Sequence, residues 1–191
     1  MPLKKEIIIV DDHSTDGSYE LLRDGLAEKY RAIRLLRHER NMGKGAAIRT
    51  GLGAITGEIV IIQDADLEYD PDDYPKLTAP IAEGKADVVY GSRFKHLRRR
   101  EFFWRWFGNR FLGRNYDMSY LHHFIGIQVL NGLANLLYRA NITDEATCYK
   151  VFRSSVIKAI DLKCEGFEFC PEVTAKVRKR GYRIFEVPIS Y

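Results

Sequence analysis

Hydrophobic and polar positions in the first half of the chain alternate between two kinds of pattern. Short β-branched runs such as Glu6 to Val10 predict strands, and the run from Glu58 to Gln63 predicts a buried one. Segments with apolar residues three or four positions apart, such as Ser18 to Lys29, predict helices. The same two patterns predict further strands at Ala32 to Arg37 and Ala86 to Tyr90, and further helices at Gly45 to Ile55 and Asp72 to Glu83. This alternation predicts an α/β fold with a mainly parallel sheet and flanking helices.

The second half of the chain has a different pattern. Arginines are interleaved with aromatic residues from Arg98 to Arg114, and the segment from Tyr120 to Arg139 predicts a second long helix. Asn141 to Phe152 and Arg183 to Ile189 are expected to be extended, with a helix at Pro171 to Lys179 between them.

Composition narrows the protein class. The chain has 191 residues, of which 46% are hydrophobic and 29% are charged, and it is expected to form a single domain over residues 1–191. This composition excludes a disordered tail, a collagen-like fibre and a disulfide scaffold. Three cysteines without a CxxC spacing predict free thiols and a cytoplasmic location. The sequence contains no run typical of a signal peptide or a membrane-spanning helix.

The positive charge is concentrated in one segment. Residues 93–114 contain eight basic residues and one acidic residue, although the net charge of the whole chain is only +4. Three explanations fit this segment: a membrane or polyprenyl-phosphate interface, a helix that packs its aromatic residues inward, and a nucleic-acid surface. We expect no nucleic-acid partner, because the acidic motif described next indicates different chemistry.

Polar clusters follow three of the predicted strands. They are Asp11-Asp12, Asp64-Ala65-Asp66 and Gly91-Ser92-Arg93. Because the carboxyl ends of parallel strands meet at one edge of a sheet, and ligands bind there, these clusters predict a single binding site on one rim of one sheet.

The Asp64-Ala65-Asp66 cluster predicts a metal site. Mg²⁺ and Mn²⁺ prefer oxygen ligands and often take one or two carboxylates together with substrate phosphates. A solvated acidic turn is the alternative, but the preceding buried strand EIVIIQ favours the metal site.

Two further segments are candidates for ligand contact. Either Asp11 or Asp12 could accept hydrogen bonds from a base or ribose, whereas Asp16 is expected to cap the next helix. Lys44, between two glycines at the start of a helix, could present a cation and backbone N–H groups to a phosphate or base; a simple turn with a solvated lysine is the alternative.

Taken together, the motifs resemble those of the inverting family 2 glycosyltransferases with the GT-A fold. They are EIIIVDDHSTDGS, NMGKGAAIRTGLGAITGEIVIIQDADLEYDP, ADVVYGSRF, ITDEATCYKVFR and GYRIFEVPISY, in this order. The resemblance is to the polyprenyl-phosphate subgroup, which includes the dolichyl-phosphate mannose and glucose synthases. It implies a metal-dependent hexosyltransferase that uses Mg²⁺ or Mn²⁺. The donor would be GDP-mannose or UDP-glucose, the acceptor dolichyl or undecaprenyl phosphate, and the location the cytoplasmic face of a membrane.

The resemblance also implies roles for individual residues. Asp64, Ala65 and Asp66 would bind the nucleotide sugar, and Glu68 would join Asp64 and Asp66 around the metal. Asp12 would contact the base or ribose, Arg93 would lie near the phosphates, and Asp144 or Glu172 would serve the acceptor side. Residues 95–140 would form a basic, aromatic, helical subregion on the acceptor and membrane side.

The ends of the chain depart from the family pattern. The resemblance implies that the family's first strand is missing and that both ends are truncated, which would expose a sheet edge and favour homo-oligomers. Two alternative functions follow from the sequence: an inactive nucleotide-sugar-binding module, and a nucleotidyltransferase. The second would normally need a glycine-rich phosphate loop after the first strand, and none is present.

Overall fold

The computed structural model of the protein describes residues 4–95 and 118–190, with only the backbone described for residues 118–124. The chain divides into two compact units. The first comprises Met1–Val60 and Arg153–Val173, and the second comprises Ile61–Phe152 and Thr174–Tyr191. The expectation of one domain over residues 1–191 stays a prediction.

Strands and helices alternate along the described part of the chain. The strands are β1 (Ile7–Asp11), β2 (Ile33–Arg37), β3 (Ile59–Ile62), β4 (Val88–Ser92), β5 (Lys150–Arg153) and β6 (Ile184–Pro188). The helices are α1 (Ser18–Leu22), α2 (Lys44–Ala54), α3 (Tyr74–Ala82), α4 (Met118–Tyr138), α5 (Ser154–Ala159) and α6 (Phe169–Lys179). A π turn over Arg23–Ala27 extends α1, and a 3₁₀ turn over Pro71–Asp73 precedes α3.

The strands form two hydrogen-bonded sheets. In the first unit β1 pairs in parallel with β2, from Ile7 opposite Ile33 to Asp11 opposite Arg37. The other sheet has the strand order β3-β5-β4-β6. In it β4 is parallel to β6 and antiparallel to β5. The predicted α/β class with parallel strands and helices is therefore confirmed, whereas the expectation that all strand-end clusters share one sheet is wrong. Strand patterns identify strands, but they do not determine which backbone edges pair.

The core of the second unit surrounds β4, of which all five residues are buried. A strand that is buried on both faces is expected to be a continuous apolar run, as β4 is at its start. Each fully buried aliphatic side chain stabilises the fold by roughly 1.5–3 kcal/mol. The largest contributors in this unit are Leu77, Ile81, Val88, Val89, Tyr90, Tyr149, Val151 and Phe152.

Several element boundaries differ from those predicted. The helix expected at Ser18 to Lys29 is α-helical only to Leu22, where the wider π turn containing Gly25 begins; glycine is a poor helix former. Gly91 and Ser92 lie inside β4 rather than after it, because they pair with Val187 and Pro188 of β6.

The extended segment predicted for Asn141 to Phe152 is wrong over most of its length. Only Lys150–Arg153 forms a strand. The backbone groups of residues 142–145 are bound instead by side chains, including those of Asn131, Asn135 and Glu186. A loop that is bound by side chains from other elements needs no helix or strand pattern in its own sequence, so this structure could not be predicted from the pattern of residues 142–145.

Helix α4 exposes a row of apolar side chains. Ile125, Val129, Leu133, Leu136 and Leu137 are between 47% and 77% exposed. No helix within the described residues has both the length and the apolar character needed to cross a bilayer. Most of the basic aromatic segment, residues 96–117, lies outside the described residues.

Candidate functional site

A buried ion pair connects the residue after β4 to the loop before β5. Arg93 donates from Nε to Oδ2 of Asp144 at 2.7 Å and from Nη2 to Oδ1 at 2.8 Å, and its backbone N–H also donates to Oδ2 at 3.1 Å. The Asp144 side chain has no solvent exposure and that of Arg93 has 10%. This two-pronged geometry is the strongest form of charge-assisted hydrogen bonding in proteins and fixes the plane of the guanidinium.

The acidic loop of Asp64, Ala65 and Asp66 directly follows β3. Asp64 is half-buried, and its Oδ2 accepts a hydrogen bond from the Cys148 thiol at 2.6 Å. Ala65, Asp66 and Glu68 are exposed. The loop is closed by the Glu68 N–H, which donates to Oδ1 of Asp66 at 3.2 Å. The two carboxylates of the motif therefore lie at the surface end of the strand.

Tyr69 places the acidic loop in the same region of the second unit as the Arg93–Asp144 pair. Its hydroxyl accepts a hydrogen bond from the Cys148 N–H at 3.4 Å, and its ring packs against Tyr149 at 4.8 Å. Burial raises the pKa of Tyr69. The charge of Arg93 lowers that pKa, and the charges of Cys148 and Asp144 raise it further. The second unit thus brings together the acidic loop, the arginine and Asp144.

The acidic loop has the donor chemistry that a hard divalent cation requires. Asp64, Asp66 and Glu68 offer carboxylate oxygens, which suit Mg²⁺ and Mn²⁺. Within the described residues, no group of three or more acidic, histidine or cysteine side chains is arranged so that it could hold a metal ion. A magnesium-type ion commonly takes one or two carboxylates and completes its shell with water and substrate phosphate, so an open set of this kind fits such an ion.

A second buried carboxylate lies beside Asp144. Glu145 has no solvent exposure. Burial raises its pKa to about 7, although the nearby Lys150 ammonium and the Thr174 hydroxyl favour the ionised form. The Lys150 ammonium is itself buried, where it donates to the carbonyl oxygens of Glu145 and Thr147 at 2.7 and 2.8 Å.

In the first unit, Asp12 holds the loop that precedes α2. Its carboxylate accepts from the Met42 N–H at 2.9 Å and the Gly43 N–H at 2.7 Å, and it contacts Nδ1 of His38 at 2.6 Å. Burial raises the pKa of Asp12, but these hydrogen bonds outweigh that effect and lower it overall. Asp12 therefore fixes the turn from which Lys44 projects.

Asp11 is the last residue of β1 rather than the first residue after it, and it is buried. Its Oδ2 lies 3.2 Å from Nε of Arg37, and the Ser14 N–H donates to the carboxylate at 3.3 Å. Asp16 accepts from the Ser18 N–H at 3.0 Å, next to the start of α1. Of the neighbouring acids Asp11 and Asp12, Asp12 is the more exposed.

In the first unit, the glycines on both sides of Lys44 pack closely against the loop that Glu172 holds. Gly43 has φ +91°, and a Cβ there would overlap the Glu165 carbonyl oxygen; a Cβ at Gly45 would lie 2.8 Å from the Cys164 carbonyl oxygen. Glu172 holds the opposing loop, because its two oxygens accept from the N–H groups of Lys163 and Cys164 at 2.9 and 2.8 Å. Both oxygens of this candidate base are therefore bound to backbone.

Lys44 is the first residue of α2, and its ammonium lies 5.7 Å from the centre of the exposed Phe167 ring. The roles assigned to Asp11, Asp12, Lys44, Asp64, Ala65, Asp66, Glu68, Arg93, Asp144 and Glu172 stay predictions.

Several residues of the site had not been singled out from the sequence. Cys148 and Tyr69 contact or approach the acidic motif, and Glu186 and Thr143 surround Asp144. Cys148 and Thr143 belong to the segment ITDEATCYKVFR, whose pattern gives neither residue a role of its own. No spacing rule connects Glu186, which is 42 residues from Asp144, to the loop that it binds.

Comparison with known proteins identifies related sequences and folds. The family model described as Glycosyl transferase family 2 matches residues 1–160. A dodecaprenyl-phosphate galacturonate synthase from Rhizobium johnstonii is 27% identical over 194 residues, covering 100% of this chain and 50% of that protein. A dolichol-phosphate mannosyltransferase from Pyrococcus furiosus is 25% identical over 190 residues, covering 99% of this chain and 48% of that protein. The chain therefore spans about half the length of these two curated relatives.

A solved structure shares the fold. The mannosyltransferase PcManGT from Pyrobaculum calidifontis, in complex with GDP-Man and Mn²⁺, superposes with a TM-score of 0.58 at 20% sequence identity. The superposition covers 96% of this chain and 45% of that one. This similarity confirms the expected GT-A type of α/β fold.

Proposed function

Because the chain belongs to glycosyl transferase family 2, we propose that it transfers a hexose from a nucleotide diphosphate sugar to the phosphate of a polyprenyl phosphate. The names of two relatives, a dodecaprenyl-phosphate galacturonate synthase and a dolichol-phosphate mannosyltransferase, support this acceptor class. The observation that carries the proposal is the placement of the acidic loop and the Arg93–Asp144 pair in one region of the second unit.

The acidic loop is the proposed metal and diphosphate site. Asp64 and Asp66, with Glu68, would hold Mg²⁺ or Mn²⁺; the presence of Mn²⁺ and GDP-Man in the structurally similar mannosyltransferase supports this choice. When bound, the ion would neutralise the negative charge that develops on the departing nucleoside diphosphate. Ala65 would bring the backbone of the loop close to the same diphosphate.

Arg93 is the proposed cation for the reacting phosphates, and Asp144 orients it. The buried two-pronged pair keeps the guanidinium in one plane, so a substrate anion meets a preorganised donor. A phosphate acceptor is already ionised at neutral pH, so an oxygen of it can attack the anomeric carbon with inversion without a separate general base. We therefore assign Glu172 to hold the loop at Lys163 and Cys164.

The first unit is the proposed site for the nucleoside. Asp12 is half-buried and already organises the turn at Gly43 through two N–H groups. A ribose hydroxyl or a base N–H could share this carboxylate, since an ionised carboxylate has about four acceptor positions. Lys44 would supply a positive charge to the same ligand, and Asp11 would support Asp12 from within β1.

The apolar row of α4 and the basic segment before it form the proposed membrane side. Arginines attract anionic lipid headgroups, and exposed apolar side chains bury at the interface. In a flotation assay with vesicles containing anionic lipid, Leu136→Asp should weaken retention of the protein. Leu21→Asp is the matched control, because Leu21 is exposed to a similar extent, 72% against 77%, on α1. Equal retention of both variants and the unmodified protein would contradict this part of the proposal.

A transfer assay tests the proposed reaction. The purified protein is incubated with Mn²⁺, undecaprenyl or dolichyl phosphate in detergent, and labelled GDP-mannose, UDP-glucose or UDP-galacturonate. The proposal predicts labelled sugar in the lipid extract, together with release of nucleoside diphosphate. Release of pyrophosphate would indicate a nucleotidyltransferase instead. Binding of nucleotide sugar without turnover would indicate an inactive binding module, and either result would overturn the proposal.

A further inference from the structure

One buried carboxylate contacts the loop that carries Asp144. Oε1 of Glu186, in β6, accepts from the Thr143 N–H at 2.7 Å and from the Asp144 N–H at 3.3 Å. The Thr143 hydroxyl donates to the same carboxylate, at 3.1 Å from Oε2. Glu186 is only 6% exposed, so these bonds form where water does not compete strongly. The backbone at Asp144 is therefore positioned by a side chain from a different strand.

The same network reaches the other partner of the ion pair. The hydroxyl oxygens of Thr143 and Ser92 are 2.6 Å apart, and Ser92 is the residue before Arg93. Oγ of Ser92 accepts from the N–H groups of Phe94 at 3.2 Å and Lys95 at 3.1 Å. The turn that contains Arg93 is thus held by the hydroxyl of the residue at its start.

The acceptors around the two hydroxyl groups give the network a direction. Thr143 donates its single proton to the carboxylate of Glu186, so the short contact to Ser92 requires Ser92 to donate to Thr143. Ser92 then has lone pairs left for the two N–H groups of the turn. Each hydroxyl then acts as donor once, and the Glu186 carboxylate is the final acceptor.

Resting on the proposed function, we infer that Glu186, Thr143 and Ser92 are positioning residues for sugar transfer. Through one chain of hydrogen bonds they fix both partners of the Arg93–Asp144 pair. Thr143 links the two halves through side chains, because its hydroxyl contacts both the Ser92 hydroxyl and the Glu186 carboxylate. Breaking this link should leave the pair formed but less well aligned with the reacting phosphates.

Two substitutions of Thr143 isolate the link. Thr143→Val replaces the hydroxyl with a methyl group of nearly the same size, and Thr143→Ser keeps the hydroxyl. With GDP-mannose or UDP-glucose as donor, Thr143→Val should lower kcat by about ten- to hundredfold, as expected when a reacting group shifts by roughly an ångström. KM for the nucleotide sugar should change little, and Thr143→Ser should recover most of kcat. Equal kcat values for Thr143→Val and the unmodified protein would overturn the inference.

A measurement that does not depend on turnover separates this inference from the proposed function. The Nε–H group of Arg93 donates to a buried carboxylate, so its hydrogen exchange with solvent, followed by NMR, should be slow. Thr143→Val should accelerate that exchange about tenfold or more, while Thr143→Ser should not. Unchanged exchange in Thr143→Val would overturn the inference. Failure of the unmodified protein to transfer sugar would count against the proposed function alone.

Discussion

The guanidinium of Arg93 contacts both carboxylate oxygens of Asp144, through two hydrogen bonds that differ in length by only 0.1 Å, at 2.7 and 2.8 Å. The pair is removed from water, since the Asp144 side chain is fully buried. Removing one partner of such a pair leaves an uncompensated buried charge, which costs far more than the pair contributes by being present. The pair is therefore sensitive to single substitutions.

Asp144→Asn is expected to lower the free energy of unfolding by about 3 kcal/mol or more, because Arg93 loses its counter-charge in a buried position. Adding Arg93→Met removes the unpaired cation, so the double variant should be less destabilised than the sum of the two single variants. Urea unfolding of the four proteins measures this coupling.

The exposed pair Arg23–Asp24 provides the control for this cycle. Its contact is equally short, at 2.6 Å, but both side chains are at least half exposed. Asp24→Asn should change the free energy of unfolding far less than Asp144→Asn does. A similar cost for the exposed and the buried pair would show that burial does not determine the contribution of Asp144.

Glu145→Gln is expected to change how stability depends on pH. The folded-state pKa of Glu145 is raised from 4.5 to about 7, so the protonated form is favoured by folding. Its contribution to stability is therefore full below pH 4.5 and is lost as the pH rises to about 7. Glutamine does not titrate, so the variant does not lose this contribution. Between pH 4.5 and about 7, the free energy of unfolding of the unmodified protein should therefore fall by roughly 3 kcal/mol relative to that of the variant.

Urea unfolding at several pH values between 4.5 and 8 tests this prediction, with the exposed Glu83→Gln as control. A stability difference between Glu145→Gln and the unmodified protein that stays constant over this pH range would show that folding does not raise the pKa of Glu145.

Gly45→Ala is expected to destabilise the first unit by about 1–3 kcal/mol, because the new methyl group would meet the carbonyl oxygen and sulfur of Cys164, each at 2.8 Å. Gly53→Ala in the same helix is the matched control. A Cβ there meets nothing within 4 Å, so that substitution should stabilise the helix by about 0.5–1 kcal/mol. Thermal unfolding of both variants distinguishes close packing from helix propensity; equal effects would contradict the contact at Gly45.

The sequence predicted the α/β class and most strands because local periodicity and β-branched runs determine where strands form. It placed Asp64 and Asp66 correctly at the end of β3, since a buried run followed by carboxylates is a local signal. Strand pairing was not predictable, because it depends on contacts between distant segments such as β4 and β6. Helix α5 was also missed, since six residues are too few for a clear helical period.

The surroundings of the candidate site were less predictable than its acidic motif. The loop before β5 was expected to be a strand, but its backbone polar groups are bound by Asn131, Asn135 and Glu186. Glu186 is remote in sequence from the loop, and Asn131 and Asn135 lie on α4, whose sequence is mainly apolar. Neither position indicates from the sequence that these side chains bind the loop. The partnership of Arg93 with Asp144 likewise joins residues 51 positions apart, which no local pattern indicates.

Equilibrium dialysis of labelled GDP-mannose or UDP-glucose, with Mn²⁺ or with EDTA, tests the role of the acidic loop most directly. The unmodified protein should bind one of these donors more tightly in Mn²⁺, and Asp64→Ala and Asp66→Ala should each weaken this binding at least about tenfold. Asp161→Ala, at a 79% exposed side chain, should bind as the unmodified protein does. Metal-dependent binding that is unchanged in Asp64→Ala would contradict the proposed metal site at the acidic loop.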